Sequence, residues 1–254
     1  RIEEEDSLSD EDKRIYSDNK EYINISVIKT KKMSNFTDFH AFKQYDDVRV
    51  KYIYDVKDLG DEDIIIFPGS KNTIADLEDL KKGGIFEKVK ELKEKGKIII
   101  GICGGLQMLG KKIYDLKHLE SDILETEGFN FFDYETTFDE IKKTEQVTKK
   151  IEVIEGILKD FNGYEIKGYE IHQGVTNILT PIICKDNVFA TYIHGIFDNS
   201  KFTNGFLNII RKQKNMSEQK EILSFNEFKE REYNKLAKLL RENLDIKEIY
   251  RILD

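Results

Sequence analysis

The chain has 254 residues, 39% of them hydrophobic and 35% charged, and carries a formal net charge of −8. That size supports one generous domain, or a domain with a helical extension; the acidic balance excludes a general nucleic-acid binder, which needs clustered Lys and Arg. No apolar run is long enough to cross a bilayer, no secretory signal opens the chain, and two cysteines are too few for a disulfide framework, so a cytoplasmic setting without membrane or nucleic-acid partners is expected.

In chain order, residues 1–20 are acidic and weakly apolar and read as a linker; the first residue, Arg1 rather than Met, suggests a fragment or a processed product. Strands are predicted at 22–28, 48–54 and 63–67, the last ending at the turn Pro68-Gly69-Ser70. Ile74, Leu77 and Leu80, then Ile85, Val89 and Leu92, keep helical spacing interrupted at Gly83-Gly84. Residues 97–102 form the next buried strand. This alternation predicts an α/β fold, a mostly parallel sheet with helices on both faces. Beyond residue 120, aromatic and β-branched residues at 129–138, 164–171 and 188–193 predict shorter, partly antiparallel strands appended to that sheet. From about Asn226 a helical tail is predicted, with Tyr233, Leu236, Ala237, Leu240 and Leu244 on one stripe expected to pack on the domain. The division is a linker at 1–20, a main domain at 21–215 and a helical extension at 216–254.

Cys103 is the residue with the clearest chemistry. An apolar strand runs into Cys103-Gly104-Gly105 and a helix follows. Such a turn presents a nucleophile, and the helix N-terminus favours its thiolate. Cys184 has no such setting and reads as core. Of four histidines, His194 and His172 close strands, where side chains reach the crevice at a sheet's carboxyl edge, whereas His40 and His118 lie in polar stretches. The run Gly105 to Lys112 nearly spells a phosphate-binding loop but lacks the final Ser or Thr and lies within the predicted helix. No bound metal, cofactor or nucleotide site is expected in this fragment.

The run Gly101-Ile102-Cys103-Gly104-Gly105-Leu106-Gln107 resembles the nucleophile motif of class I glutamine amidotransferases. Phe67–Leu77, Gly168–Gly174 and Tyr192–Asp198, together with Ser34–Phe39, are similar to the C-terminal glutaminase domain of the cobyric acid synthase family. The resemblance implies a flavodoxin-like fold. It also implies a missing N-terminal synthetase domain that binds ATP and Mg, with glutamine and a corrinoid acceptor as partners in cobalamin biosynthesis. Residue by residue, it implies Cys103 as nucleophile, His194 as acid and base, and the backbone N–H groups of Gly69 and Gly104 as an oxyanion hole. Gln107, His172, Gln173 and Gly174 would bind glutamine. Many relatives carry a Glu two residues after the catalytic His; here that position is Ile196, which predicts a Cys–His dyad with weak basal activity and leaves open whether a carboxylate such as Glu170 orients His194.

Three alternatives stay open. The domain could serve another acceptor, as in cobyrinic acid a,c-diamide synthase or the muropeptide-amidating glutaminases. It could be an inactive glutamine-binding module, or a cysteine hydrolase of the same architecture.

Overall fold

The computed structural model describes residues 21–153, 155–220, 225–244 and 251; the predicted linker at 1–20 lies outside them. The elements run β1 (Ile23–Ile28), β2 (Met33–Ser34), β3 (Val48–Ile53), β4 (Ile64–Phe67), β5 (Gly69–Ser70), α1 (Thr73–Lys82), α2 (Ile85–Glu94), β6 (Ile98–Ile102) and α3 (Gly104–Leu109). They continue with β7 (Lys112–Tyr114), β8 (Glu125–Glu127), β9 (Glu135–Lys150), β10 (Glu165–Thr176), β11 (Ile182–Lys185), β12 (Val188–Thr191), β13 (Ile193–His194), α4 (Ser200–Gln213) and α5 (Phe225–Asn243). Short 3-10 segments include Phe36–Gln44.

The main sheet has the order β11-β12-β6-β4-β1-β3. Every neighbour pair is parallel except β11 with β12. All four residues of β4 and all five of β6 are buried. Because successive side chains point to opposite faces, both faces are therefore covered, as the continuous Ile-rich runs require. On one flank Phe202 and Phe206 of α4 meet Phe189 of β12 edge-on. The break predicted at Gly83-Gly84 separates α1 from α2, with Gly84 left-handed at φ 77°.

Parallel pairing has a consequence for function. β1, β4, β6 and β12 all run the same way, so the segments that leave their carboxyl ends emerge at one edge. Those segments carry Asp38, Gly69, Cys103 and His194 respectively.

Two expectations need correcting. The stretches beyond residue 120 are not all appended to the main sheet: only β11 and β12 are, while β13-β10-β9-β7-β8 form a second, five-stranded sheet. β9 starts at Glu135, later than predicted, and continues to Lys150; the middle of that strand is exposed, so it lacks the apolar alternation that marks a half-buried strand. The stripe on α5 is not packed into the core either. Phe228 touches the core, but Tyr233, Leu236, Leu240 and Leu244 stay between 36% and 47% exposed.

Candidate active site

Cys103 sits on a forced turn. Its amide donates to Thr191 O at 2.9 Å, prolonging the β6–β12 ladder, and its carbonyl accepts from Gln107 N at 3.1 Å, opening α3. Between those bonds the backbone adopts φ 54°, ψ −107°, a region side-chain-bearing residues avoid. The strained turn projects the thiol from the sheet edge. Neighbouring glycines make it possible by close approach: a Cβ on Gly105 would lie 2.0 Å from Phe67 O, and one on Gly101 2.7 Å from Gly105 O. At rest Sγ donates to Ile171 O of β10 at 3.5 Å.

His194 is fully buried, paired through β13 with Tyr169 of β10. The Tyr169 ring stacks on its ring at 5.1 Å between centroids. Nδ1 donates to Asp38 Oδ2 at 2.7 Å, and Asp38 Oδ1 accepts the Gly195 amide at 2.9 Å. Nε2 is enclosed without a hydrogen-bond partner, while the Cys103 sulfur lies close enough to act on the ring's charge. Burial alone would strip the ring of its proton; Asp38 and Cys103 together outweigh it and raise the pKa to about 10.

Asp38 thus supplies the carboxylate that the Ile196 position lacks, in place of the dyad expected from the sequence. Glu170 does not orient His194. Tyr169 faces His194 across the ladder, so its neighbour Glu170 points to the opposite face of the strand pair. There Glu170 binds Lys143 and lies 3.6 Å from His172 Nε2; the His172 contact, with Lys143, holds its carboxyl down to about 2 against the cost of burial. Asp38 belongs to the Ser34–Phe39 stretch, but nothing local in the sequence links it to a histidine 156 positions away.

The remaining predicted residues gather around the same turn. A Cβ on Gly69 would meet His194 Cε1 at 3.2 Å, and one on Gly104 would meet Ser70 N at 2.9 Å, so the β5 turn closes against both imidazole and nucleophile turn. Gly104 is the first residue of α3, and its N–H has no intrahelical acceptor by position. Gln107 Nε2 donates to Gln173 O at 2.9 Å and to Tyr192 Oη at 3.3 Å; its Oε1 accepts from Thr73 Oγ1 at 3.0 Å. Gly174 has φ 99° at a register shift of the β9–β10 ladder, the kind of bulge that re-aims a strand beside a site. The His172 ring stacks on Tyr192 at 3.8 Å and its Nδ1 lies 3.2 Å from Gly174 O. Cys184 is buried and distant in role, its thiol pKa pushed up mainly by burial.

Among the described residues no three His, Cys, Asp or Glu side chains come together as a metal site. Most of the Gly105–Lys112 run is α3, and Gly110 packs closely on Tyr134, where a Cβ would lie 2.4 Å from the ring.

A cysteine on a strand-to-helix elbow, beside an imidazole gripped by a buried carboxylate, defines the arrangement of thiol-dependent acyl-transfer enzymes. The fold is similar to a crystal structure of a glutamine amidotransferase, with TM-score 0.51 and 14% identity over 72% of this chain and 96% of that one. The chain belongs to the CobB/CobQ-like glutamine amidotransferase family, whose domain model matches residues 24–202. It is 39% identical to a cobyric acid synthase from Caldanaerobacter subterraneus subsp. tengcongensis and 42% identical to one from Clostridium novyi, all of this chain aligning with 54% and 53% of those proteins. It therefore spans about half the length of the relatives it matches. Among the described residues no helix is long and apolar enough to cross a membrane.

Proposed function

We propose that this chain hydrolyses glutamine to glutamate and ammonia, as the ammonia-supplying part of an ATP-dependent amidotransferase. The acceptor in this reading is adenosylcobyrinic acid a,c-diamide, whose peripheral carboxylates become amides of adenosylcobyric acid. The acceptor part of the reading rests on the relatives named cobyric acid synthase. ATP and Mg would be held by the further length those relatives carry. The observation that carries the glutaminase part is the line Cys103, His194, Asp38, with Gln107 one turn along α3 from the nucleophile.

The chemistry follows from the geometry. The Cys103 proton passes to His194 Nε2, and the sulfur attacks the side-chain carboxamide carbon of glutamine. The tetrahedral oxyanion takes N–H donors from Gly104 and from the Gly69 turn. The imidazolium returns its proton to the nitrogen as the C–N bond breaks, releasing ammonia and leaving a thioester. A water then gives its proton to the imidazole and attacks the thioester, and glutamate departs as the sulfur recovers its proton. Asp38 keeps the Nδ1 proton in place, so Nε2 is the nitrogen that exchanges a proton with the sulfur and the substrate.

The test uses the full chain, glutamine and a glutamine-mimicking diazo-ketone. Ammonia release that Cys103→Ala abolishes, with the adduct on Cys103 by peptide mass spectrometry, is the expected result. Release that survives the substitution, or an adduct on Cys184, would remove Cys103 from the mechanism.

A further inference from the structure

We propose that Tyr169 is a positioning residue for the acid–base step: its ring covers one face of the His194 imidazole and keeps water off the His194–Asp38 hydrogen bond. This assignment rests on the glutaminase reading above.

The sequence builds this cover from Gly168-Tyr169. β10 and β13 approach so closely that a Cβ on Gly168 would lie 2.2 Å from His194 O. That approach sets Tyr169 directly opposite His194 in the ladder, where paired residues project to the same face. The two rings stack at 5.1 Å between centroids with 21° between their planes, an offset arrangement that aromatic pairs prefer. The hydroxyl end is tethered, since Asn35 Nδ2 donates to Tyr169 Oη at 2.8 Å. Asn35 also holds the carboxylate segment: its main-chain oxygen accepts Asp38 N at 3.1 Å, and its own backbone is left-handed at φ 56°. Tyr169 therefore reaches from the strand that faces His194 to the segment that carries Asp38.

Burial follows the same line. His194 and Asp38 are 0% and 2% exposed, whereas Tyr169 and Asn35 are part-exposed and stand between that pair and solvent. On the imidazole itself, Nδ1 is occupied by Asp38, the Cε1 edge by the Gly69 turn and a face by Tyr169. Water admitted at that face would compete for the Nδ1–H and the Asp38 oxygens and screen their charges, and a hydrogen bond to a carboxylate is stronger away from water. The side chain of Gln107 bonds to Thr73, Gln173 and Tyr192 and not to Tyr169, so losing the cover acts on the chemical step and not on glutamine binding.

The test uses the full chain with its Tyr169→Leu, Tyr169→Phe and Asp38→Asn variants. Steady-state ammonia release from glutamine should give Tyr169→Leu a kcat about 10–100-fold lower, part of the 10²–10⁴-fold worth of positioned acid–base catalysis, with KM near the parent value. Tyr169→Phe keeps the ring and loses only the Asn35 bond, so it should recover most of that loss. Proton NMR in water reads the seal without any turnover. An imidazole N–H held by a carboxylate resonates far downfield and is seen only when it exchanges slowly with water. The parent and Tyr169→Phe should show this signal; Tyr169→Leu and Asp38→Asn should lack it. A Tyr169→Leu protein that keeps the signal or keeps kcat overturns the assignment, and so does a Tyr169→Phe protein as slow as Tyr169→Leu. A parent without the signal overturns it too, whether or not Tyr169→Leu folds. Absence of both turnover and Cys103 labelling in a parent that shows the signal overturns the glutaminase reading instead.

Discussion

Asp38 grips His194 and its neighbour together: one carboxylate oxygen takes the imidazole Nδ1–H at 2.7 Å and the other takes the Gly195 amide at 2.9 Å, with Asp38 only 2% exposed. The second bond matters as much as the first. It ties the carboxylate to the backbone that carries the ring, so the carboxylate cannot rotate away from the imidazole without breaking both bonds. A histidine held this way keeps one tautomer and one orientation.

Asp38→Asn should therefore lower kcat by about 10²–10⁴-fold, the usual worth of positioned acid–base catalysis. The KM for glutamine should stay near the parent value, because Asp38 touches the imidazole and not the pocket around Gln107. Steady-state ammonia release by both proteins checks this, and a large rise in KM with kcat preserved would contradict it.

The same contact sets a pH dependence of stability. His194 binds its proton more tightly folded, at a pKa of about 10, than unfolded, at the ordinary 6.5. Its contribution is then fully present below about pH 6.5 and is lost as the pH climbs through about 10. Urea midpoints measured across that window should fall toward alkaline pH, and Asp38→Asn should flatten the fall.

Gly105→Ala tests the packing beneath the nucleophile. The added Cβ would sit 2.0 Å from Phe67 O, a backbone atom that cannot swing aside. Destabilisation of about 1–3 kcal/mol or more is expected from overpacking, with α3 pushed off β4. Denaturant titration reads the stability loss, and diazo-ketone labelling of the folded fraction should slow because the Cys103 turn moves with the helix.

At the amino edge of the sheet, Arg211 provides a control. It is fully buried, with Nε and Nη2 on the two oxygens of Asp47 at 2.7 and 3.0 Å and Nη1 on Asn204 and Asn208. Arg211→Met leaves Asp47 without its partner in a dry setting and should cost about 3–5 kcal/mol. Activity per folded molecule should not change, since the pair sits at the end of the sheet away from Cys103; thermal melting beside active-site titration separates the two effects.

What the sequence by itself determined is the local part. The runs at Ile23–Ile28, Ile64–Phe67 and Ile98–Ile102 are buried on both faces, and the turns Pro68-Gly69-Ser70 and Cys103-Gly104-Gly105 punctuate them. Apolar runs and glycines are short-range signals, so the parallel sheet and the elbow could be read directly, and the histidine at the end of a strand with them. Tertiary structure alone decided which carboxylate serves His194, where β9 and β10 go, and which face of α5 is covered. Asp38 reaches the imidazole because β1 and β12 end at the same sheet edge, and no residue near Asp38 in the chain encodes that meeting. β9 is exposed through its middle, so hydrophobic periodicity had nothing to report there. The α5 stripe shows the converse: its spacing is a true helical signal, but periodicity names a face without naming what lies against it.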